Sequence, residues 1–445
     1  MKKQEINLSA HFTYGKLIRF VMPCILMMLV TSIYSIVDGF FVSNFAGKDA
    51  FAAVNLIMPA LMALGAFGFM IGTGGSALVA FVFGEGHSRR GQEIFTMLTG
   101  IVVAVGIVIS VVGFIFMPQI ALLLGASEAI LNDGVLYGRI IICAMTFFML
   151  QNSYQSFLVT AQKADFGLFI SIFSGVMNMV LDYVLVYVLR LGVAGAAVAT
   201  ALSQVTGAMI PTVYFMRANK SLLRFVKTKM DWRAFSKTCL NGSSEMMTNL
   251  SASLVGMLYN LQLLKLAAEN GVAAYGVIMY VSFIFMAVFF GYSVGINPVV
   301  GYHFGAGNKE ELKSLLRKSL ILTTAVGIAM TVAGELLALP FAKLYVGYDL
   351  ELCRMTETGM RYYSLSFLIC GFNIFASAFF TGLNNGLVSA LISFLRTLVI
   401  QVAAIFILPI FLGIDGIWLA IVVAEGVTLA VSGAFLLGNK KRYGY

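Results

Sequence analysis

Charged residues are scarce in this sequence, and their scarcity excludes most protein classes at once. Only 11% of the 445 residues are Asp, Glu, Lys or Arg, and 60% are hydrophobic. A soluble globular domain carries about 25% charged residues. The composition therefore predicts a polytopic membrane protein.

Cysteine and histidine are also rare. The five cysteines are odd in number, scattered and mostly placed in apolar runs, where cysteine behaves as a small hydrophobic residue. The three histidines show no metal-ligand spacing, and no apolar run pairs a nucleophile with a base. These absences predict a protein without a disulfide framework, without a cofactor and without enzymatic activity.

Long apolar runs dominate what remains. A helix that crosses a bilayer needs about 20 apolar residues, and its backbone must satisfy its own hydrogen bonds. Twelve runs are long enough, and we number them as spans 1 to 12: 16–42, 51–83, 94–117, 136–160, 166–189, 193–216, 240–264, 273–302, 317–342, 359–382, 387–412 and 414–437. The predicted fold class is all-α integral membrane, with twelve transmembrane helices.

The basic residues fall mainly on one side of these spans. Of 29 Lys and Arg residues, 21 lie at the termini or in the loops of one side, 7 lie on the other side, and Arg396 lies within span 11. Cytoplasmic loops carry the basic excess. We therefore expect a multi-pass plasma-membrane protein with both termini in the cytoplasm, and no nucleic-acid partner despite the net charge of +9.

The chain contains a long internal repeat. "FGEG" at 83–86 returns as "FGAG" at 304–307, and "LGVAGAAVA" at 191–199 returns as "LGIDGIWLA" at 412–420. Each half has six spans, so both halves enter the membrane from the same side, as in the parallel repeats of secondary transporters. We predict three parts: an N-terminal six-helix lobe, a basic cytoplasmic connector and a C-terminal six-helix lobe, at residues 1–216, 217–238 and 239–445.

Several acidic residues lie inside the apolar runs. An ionisable group in hydrocarbon is costly and marks a functional site by default. At a rise of about 1.5 Å per residue, Asp38 in span 1, Asp182 in span 5 and Thr200 in span 6 reach one level, and Asn178 lies one turn before Asp182. The pattern predicts one cluster of oxygen-bearing side chains in the N-terminal lobe.

This cluster is suited to a small hard cation. Two carboxylates close together in a low dielectric cannot easily both stay ionised, so the pair can hold and release a proton or a sodium ion. When the two halves are aligned by their repeated motifs, which lie 221 residues apart, Asp182 falls on Ala403 and Thr200 falls on Ile421, which favours an ion site confined to the N-terminal lobe. The alternative is that the aspartates only hydrogen-bond neighbouring helices.

Other charged residues receive separate predictions. Arg396 and Glu425 lie near mid-depth on consecutive spans, and we predict that they pair, for either packing or gating. Glu245 follows "NGSS" and is predicted to cap a helix start near the cytoplasmic interface. Glu335 has no predicted role. Pro23 breaks the hydrogen-bond ladder of span 1 and is predicted to act as a hinge.

Together these residues resemble the multidrug and toxic compound extrusion (MATE) family. The resemblance covers essentially the whole chain and rests on the twelve spans in two lobes, "YSIVDGFFV", "AGKDAFAAVNL" and the repeated "FGEG" and "FGAG". It implies export of amphipathic, often cationic compounds by antiport, driven by inward sodium or proton flow.

The DinF-like branch of the family has the closest pattern. It carries an acid in helix 1, Asn and Asp a turn apart in helix 5 and a Thr in helix 6, which Asp38, Asn178, Asp182 and Thr200 match. Its helix 1 proline, associated with bending, is matched by Pro23. The NorM branch uses acids inside helices 7 and 10, but span 10 has none and the acid of span 7 lies early. A cation site in the C-terminal lobe is therefore not expected.

The position of the substrate is less constrained. Tyr34 lies one turn before Asp38, and Asn152 and Gln155 lie at similar depth in span 4, so these three are predicted to contact the substrate. We expect small amphipathic drugs or cations and the lipid bilayer as partners, and a monomer. The alternatives left open are a lipid-linked saccharide flippase, which would be expected to carry several basic residues in its cavity, and a receptor or scaffold. Proton and sodium coupling cannot be separated, because the same oxygens serve both.

Overall fold

A computed structural model describes residues 7–445, except the side chains of residues 48, 49 and 129. Lys2 and Lys3, counted above among the cytoplasmic basic residues, lie outside this range. The first lobe contains Tyr14–Phe41 with Val42–Ala46 (span 1), Lys48–Gly84 (span 2), Ser88–Leu123 (span 3), Glu128–Cys143 with Met145–Thr160 (span 4), Ala164–Asp182 with Tyr183–Val188 (span 5) and Gly192–Met216 (span 6). The second lobe contains Trp232–Gly305 (spans 7 and 8), Lys309–Val346 (span 9), Leu350–Ser364 with Phe367–Gly382 (span 10), Gly386–Phe394 with Leu395–Ile400 and Gln401–Leu412 (span 11) and Ile414–Tyr443 (span 12).

These helices supply twelve spans, as the sequence predicts. Among the residues described, nine helices are long and apolar enough to cross a membrane, and two bent pairs, at 54° in span 4 and 45° in span 10, raise the number to eleven. The 74-residue helix Trp232–Gly305 is interrupted at Ala267 and Ala268, whose φ angles are −141° and 50°. It therefore contains two spans, which brings the total to twelve.

Polar caps decide where several of these helices begin. The Thr13 hydroxyl accepts from the Lys16 amide, the Asn308 side chain accepts from the Glu311 amide, and Asp231 accepts from the amides of Arg233 and Ala234. Such caps satisfy the free N–H groups of the first turn. The cap at Asp231 starts span 7 at Trp232, so the end of the predicted connector 217–238 is helical.

The repeated "FGxG" motif has a structural reason. Its first glycine lies where the ends of spans 2 and 8 meet: a Cβ on Gly84 would be 2.1 Å from the Tyr302 carbonyl oxygen, and one on Gly305 would be 2.0 Å from the Phe81 carbonyl oxygen. Its second glycine, Gly86 or Gly307, follows the helix with a positive φ, a conformation that glycine adopts readily. Each copy of the motif thus packs one lobe on the other and ends a helix.

Further glycines continue this contact between the lobes. A Cβ on Gly242 of span 7 would be 1.9 Å from the Met70 oxygen, and one on Gly291 of span 8 would be 2.4 Å from Ile25 Cα. Small residues let membrane helices approach closely. These contacts run from the end of the molecule where spans 1 and 7 begin and spans 2 and 8 end, which we call the closed end, toward the middle of the same helices.

The segment before span 1 adds to the closed end. Phe12 is fully buried, and its N–H donates to Glu311 Oε1 at 2.9 Å. His11 Nδ1 lies 2.5 Å from the other oxygen of the same carboxylate, and the Lys318 ammonium donates to the Phe12 carbonyl. The N-terminal segment thereby ties span 1 of one lobe to span 9 of the other.

Candidate cation and substrate site

Spans 1 and 5 pack side by side and carry the two predicted aspartates. Small residues of span 5 allow the approach, since a Cβ on Gly175 would lie only 3.4 Å from the Tyr34 ring. The Asp38 carboxylate faces the Asp182 carboxylate of span 5 and the Thr200 hydroxyl of span 6. Tertiary packing therefore brings three of the four predicted groups together.

The fourth group, Asn178, lies one turn from Asp182 on the same face of span 5. Asp182 and Asn178 are 0% and 1% exposed, whereas Asp38 and Thr200 are half-buried. The polar atoms that these four side chains direct toward one another are nevertheless buried.

The polar atoms of this cluster lack protein partners. In the described part of the chain, Asp38 Oδ1, both carboxylate oxygens of Asp182, both amide atoms of Asn178 and Thr200 Oγ1 are buried without a hydrogen bond. Burying a carboxylate without a donor or counter-charge costs several kcal/mol. A proton or a sodium ion would supply what these oxygens lack, so the residues present fit either coupling ion.

Two further residues belong to this region and were missed from the sequence. Gln204 lies one turn after Thr200 on span 6, and its buried Oε1 also lacks a partner. Both residues line a cavity of about 20 Å³, which is enough for one water molecule. The signal for Gln204 was its four-residue spacing from Thr200. Tyr137 of span 4 is fully buried near both carboxylates, and no pattern in the sequence pointed to it.

The backbone is irregular beside the charged residues. Span 1 ends in the π-helical turn Val42–Ala46, one turn after Asp38, and the π-helical turn Tyr183–Val188 begins directly after Asp182. A third, Leu395–Ile400, contains Arg396. Such wide turns often occur at functional sites because they disturb the regular hydrogen-bond ladder.

The predicted substrate contacts are spread over two places. Tyr34 lies beside the cluster, on the face of span 1 that meets Gly175. Asn152 donates to the Phe148 carbonyl of its own helix at 3.0 Å, and Gln155 is 8% exposed. Span 4 packs there on span 2, since a Cβ on Gly72 would be 3.2 Å from the Asn152 oxygen. Only Tyr34 adjoins the carboxylates directly.

Pro23 lies inside the continuous helix Tyr14–Phe41. Its side chain is buried on one face, next to a surface cavity between the beginnings of spans 1 and 5. The proline removes a backbone hydrogen bond there, which weakens the helix at this turn.

The C-terminal lobe contains a buried ion pair. Arg396 Nε donates to Glu425 Oε1 at 2.7 Å, and the Asn373 amide donates to Glu425 Oε2 at the same distance. Arg396 is 7% and Glu425 1% exposed. Glu335, which had no predicted role, accepts from the Ser364 hydroxyl at 2.9 Å.

The predicted role of Glu245 is wrong. It does not cap a helix start, because Asp231 caps span 7 and Glu245 lies about 20 Å further along the helix at about 1.5 Å per residue. Glu245 is half-buried one turn beyond Gly242, within the electrostatic reach of Arg396. Gly242 faces span 2, and residues three apart share a helix face. Glu245 therefore places a carboxylate inside span 7, near the face on which this helix meets the other lobe.

Comparison with known proteins gives a consistent result. The MatE family model matches residues 23–184 and 246–407, two segments of equal length. The chain is 23% identical to the multidrug export protein MepA of Staphylococcus haemolyticus (strain JCSC1435), over 93% of this chain and 91% of that protein. It is 26% identical to the probable multidrug resistance protein YoeA of Bacillus subtilis (strain 168), over 69% of this chain and 68% of that protein.

A solved structure supports the fold. The outward-facing conformation of a multidrug resistance MATE family transporter of the MOP superfamily superposes with a TM-score of 0.92 at 22% identity. The match covers 100% of this chain and 99% of that one. This likeness confirms the predicted twelve-helix, two-lobe fold class.

Proposed function

The chain belongs to the MatE family, and on that premise we propose that it is a secondary transporter that exports amphipathic, cationic compounds in exchange for protons or sodium ions. The names of the related proteins MepA and YoeA, a multidrug export protein and a probable multidrug resistance protein, support drug export. The two-lobe fold suits alternating access around a central cleft.

The single observation that carries this proposal is the cluster of buried oxygens without partners around Asp38 and Asp182. A purely structural cluster would be expected to pair its oxygens with donors, because unpaired buried polar groups are destabilising. The sites of the coupling ion are accordingly Asp38, Asn178, Asp182 and Thr200, with Gln204 beside them.

Coupling follows from the electrostatics of the same cluster. Without its ion the cluster carries up to two negative charges and attracts a cationic substrate toward Tyr34. Binding of a proton or sodium ion removes that attraction, and it also stabilises whichever arrangement of spans 1 and 5 holds the ion best. Pro23 is the hinge at which span 1 adjusts.

The second lobe contributes to the substrate path. Glu245 lies near the contact between the lobes, and we assign its carboxylate to the path of cationic compounds, whereas Arg396 is neutralised by Glu425. A phosphate-bearing lipid-linked saccharide would meet negative charge on this path, which argues against a flippase. Asn152 and Gln155 are proposed to contact the substrate in other steps of the cycle.

The orientation completes the proposal. Basic residues concentrate in the loops at the closed end, so this end is assigned to the cytoplasm together with both termini. We propose that the lobes separate at the opposite, external end in the state in which substrate leaves and the coupling ion enters. We propose lobes at residues 1–216 and 239–445, with the first turns of span 7 extending into the connector, and a transporter that works as a monomer in the plasma membrane.

Efflux from vesicles tests the proposal. Purified protein reconstituted with a fluorescent cationic dye is given an imposed proton gradient or an imposed sodium gradient. We expect Asp38→Asn and Asp182→Asn each to abolish gradient-driven efflux. The matched control is Glu269→Gln, which neutralises an exposed carboxylate between spans 7 and 8.

The two gradients identify the coupling ion, since only the correct one drives efflux. Glu245→Gln is expected to weaken dye binding while the gradient dependence stays the same. Full efflux in both aspartate variants would refute the assigned coupling site.

A further inference from the structure

The connector between the lobes packs against span 3. Residues 221–231 are extended and irregular, and the Val226 N–H donates to Thr96 Oγ1 of span 3 at 3.1 Å. Beside this bond the Phe225 ring stacks on Phe95, with 5.2 Å between the ring centroids. These contacts fix the connector on the N-terminal lobe, so its outward side chains form a defined surface.

The same contacts set the depth of the connector. Thr96 lies about 12 Å from the beginning of the helix at Ser88, at about 1.5 Å per residue. The apolar run of span 3 begins at residue 94, so the connector folds back along the helix to the level at which the hydrocarbon begins. In the proposed orientation this is the level of the lipid headgroups in the cytoplasmic leaflet.

A shallow depression of about 910 Å³ opens at this level between span 3, the connector and the first turn of span 7. Its two acidic residues, Glu93 and Asp231, both pair with Arg90 of span 3. Three basic residues of its lining form no ion pair with any residue that the structure describes: Lys227, Lys229 and Arg233. The depression therefore has an excess of positive charge that would be balanced by an anion.

The side chains around the depression are arranged for a lipid. Lys227 and Lys229 are exposed and lie two residues apart in an extended segment, so they point to the same side. Trp232 at the rim is 69% exposed, although its ring meets the Phe235 ring edge-on at 6.1 Å. Tryptophan is enriched at the headgroup level of membranes because its ring is amphipathic. Lysines beside such a tryptophan fit an anionic headgroup with its acyl chains next to the ring.

We propose that this depression binds the headgroup of an anionic phospholipid from the cytoplasmic leaflet. The phosphate contacts Lys227, Lys229 and Arg233. The first part of the acyl chains packs on Trp232. Clusters of basic residues at the cytoplasmic membrane surface attract such lipids. The inference rests on the proposed orientation of the chain but not on the proposed transport activity, and it anchors the segment that joins the two lobes to the membrane surface.

Trp232 itself can report the lipid. The chain has two tryptophans, and the other, Trp418, is 1% exposed, so the variant Trp232→Phe measures the background emission. Detergent-solubilised protein is titrated with phosphatidylglycerol or phosphatidylcholine brominated on the acyl chains, because bromine quenches a tryptophan that it contacts. We expect phosphatidylglycerol to quench Trp232 at lower concentration than phosphatidylcholine. Equal midpoints for the two lipids would overturn the proposal.

The two lysines test the headgroup contact. Each basic residue near a membrane surface strengthens the binding of anionic lipid roughly 5-fold. Lys227→Gln with Lys229→Gln is therefore expected to raise the midpoint for phosphatidylglycerol about 25-fold and to leave that for phosphatidylcholine unchanged. Both lysines are exposed, so their replacement does not disturb the packing. Arg233 is kept because it is the neighbour of the fluorophore.

The matched control removes the same charge elsewhere. Lys440 and Lys441 are exposed at the C-terminal end of span 12, so Lys440→Gln with Lys441→Gln removes two positive charges on the same side of the membrane. The midpoint in this control is expected to stay within about 2-fold of wild type. Equal shifts in both double variants would mean that general surface charge attracts the lipid, and the assigned site would be wrong.

Inorganic phosphate distinguishes a lipid from a soluble anion. Millimolar phosphate, added at constant ionic strength, is expected to leave the phosphatidylglycerol titration unchanged, because the lipid is also held by its contact with Trp232. Release of the quenching by phosphate would assign the basic residues to a soluble anion and would contradict the lipid site.

Discussion

The glycine contacts at the closed end lead to a quantitative prediction for Gly84→Ala. A methyl group at this position would lie 2.1 Å from the backbone oxygen of Tyr302. A side chain could rotate away, but a backbone oxygen inside a helix cannot. Spans 2 and 8 must therefore separate by about 1 Å before an ordinary contact distance is reached.

Separating spans 2 and 8 raises the free energy of the arrangement in which the lobes are closed. Overpacking of a tight contact costs about 1–3 kcal/mol, and each step of about 1.4 kcal/mol changes a population ratio about 10-fold. The closed end should therefore open roughly 5 to 150 times more often in Gly84→Ala. Once the lobes are apart, the methyl group meets no obstacle, so the open arrangement is not penalised.

A native cysteine reports the opening. Cys239 at the start of span 7 is half-buried and packs against the core of the other lobe, so a thiol reagent reaches it when the lobes separate. Cys143 is exposed and is replaced by Ser to remove background. The rate at which a polar maleimide labels Cys239 in solubilised protein is expected to rise by the factor given above.

The control is a glycine with space around it. Gly100 in span 3 has nothing within 4 Å of its Cβ position, so Gly100→Ala gains helix propensity of up to about 1 kcal/mol without a clash. Its labelling rate should equal that of the wild type. If Gly84→Ala folds normally and labels at the control rate, the glycine contacts do not hold the closed end together and the reasoning is refuted.

Three further substitutions test other parts of the structure. Glu425→Gln leaves the buried guanidinium of Arg396 without its carboxylate, so we expect stability to fall by about 3–5 kcal/mol, whereas Arg396→Met with Glu425→Leu is expected to lose much less. Thermal melting measures both, and an equal loss in the single and the double variant would contradict the pairing. Glu311→Gln weakens the hydrogen bond that the Glu311 carboxylate accepts from the Phe12 N–H, a charge-assisted bond worth about 1.5–3 kcal/mol. Proteolysis of the N-terminal segment should therefore accelerate. An unchanged cleavage rate would count against the contact. Gly86→Ala, at φ +85° and with open space around it, should lower stability by about 1 kcal/mol through backbone strain alone, and an unchanged melting temperature would disprove this.

The sequence predicted most reliably those features that the thickness of the bilayer determines. Hydrocarbon thickness sets the length of a span, so apolar runs of about 20 residues are sufficient to find all twelve spans. Depth could also be calculated, because a helix rises by a constant step of about 1.5 Å per residue. That is why the sequence alone assigns Asp38, Asp182 and Thr200 to one level.

The wrong and the missed predictions concern residues whose polarity does not indicate how deep they lie in the membrane. "NGSS" resembled a helix start, and Glu245 was therefore predicted to cap a helix near the interface. The helix begins at Trp232, capped by Asp231, and its first turns carry too many polar residues for hydropathy to recognise them as part of a span. Tyr137 was missed for a related reason, since its distance along the chain says nothing about its place beside the carboxylates.

The sequence by itself determined the number of spans, their internal repeat and the level of the polar residues, because each of these depends on chain length and bilayer thickness. Only the tertiary structure decided which faces meet: it turned Asp38 toward Asp182, left their oxygens without donors and closed the lobes at one end through glycines. These outcomes depend on helix rotation and on contacts between distant segments, which packing settles and which no local pattern of residues encodes.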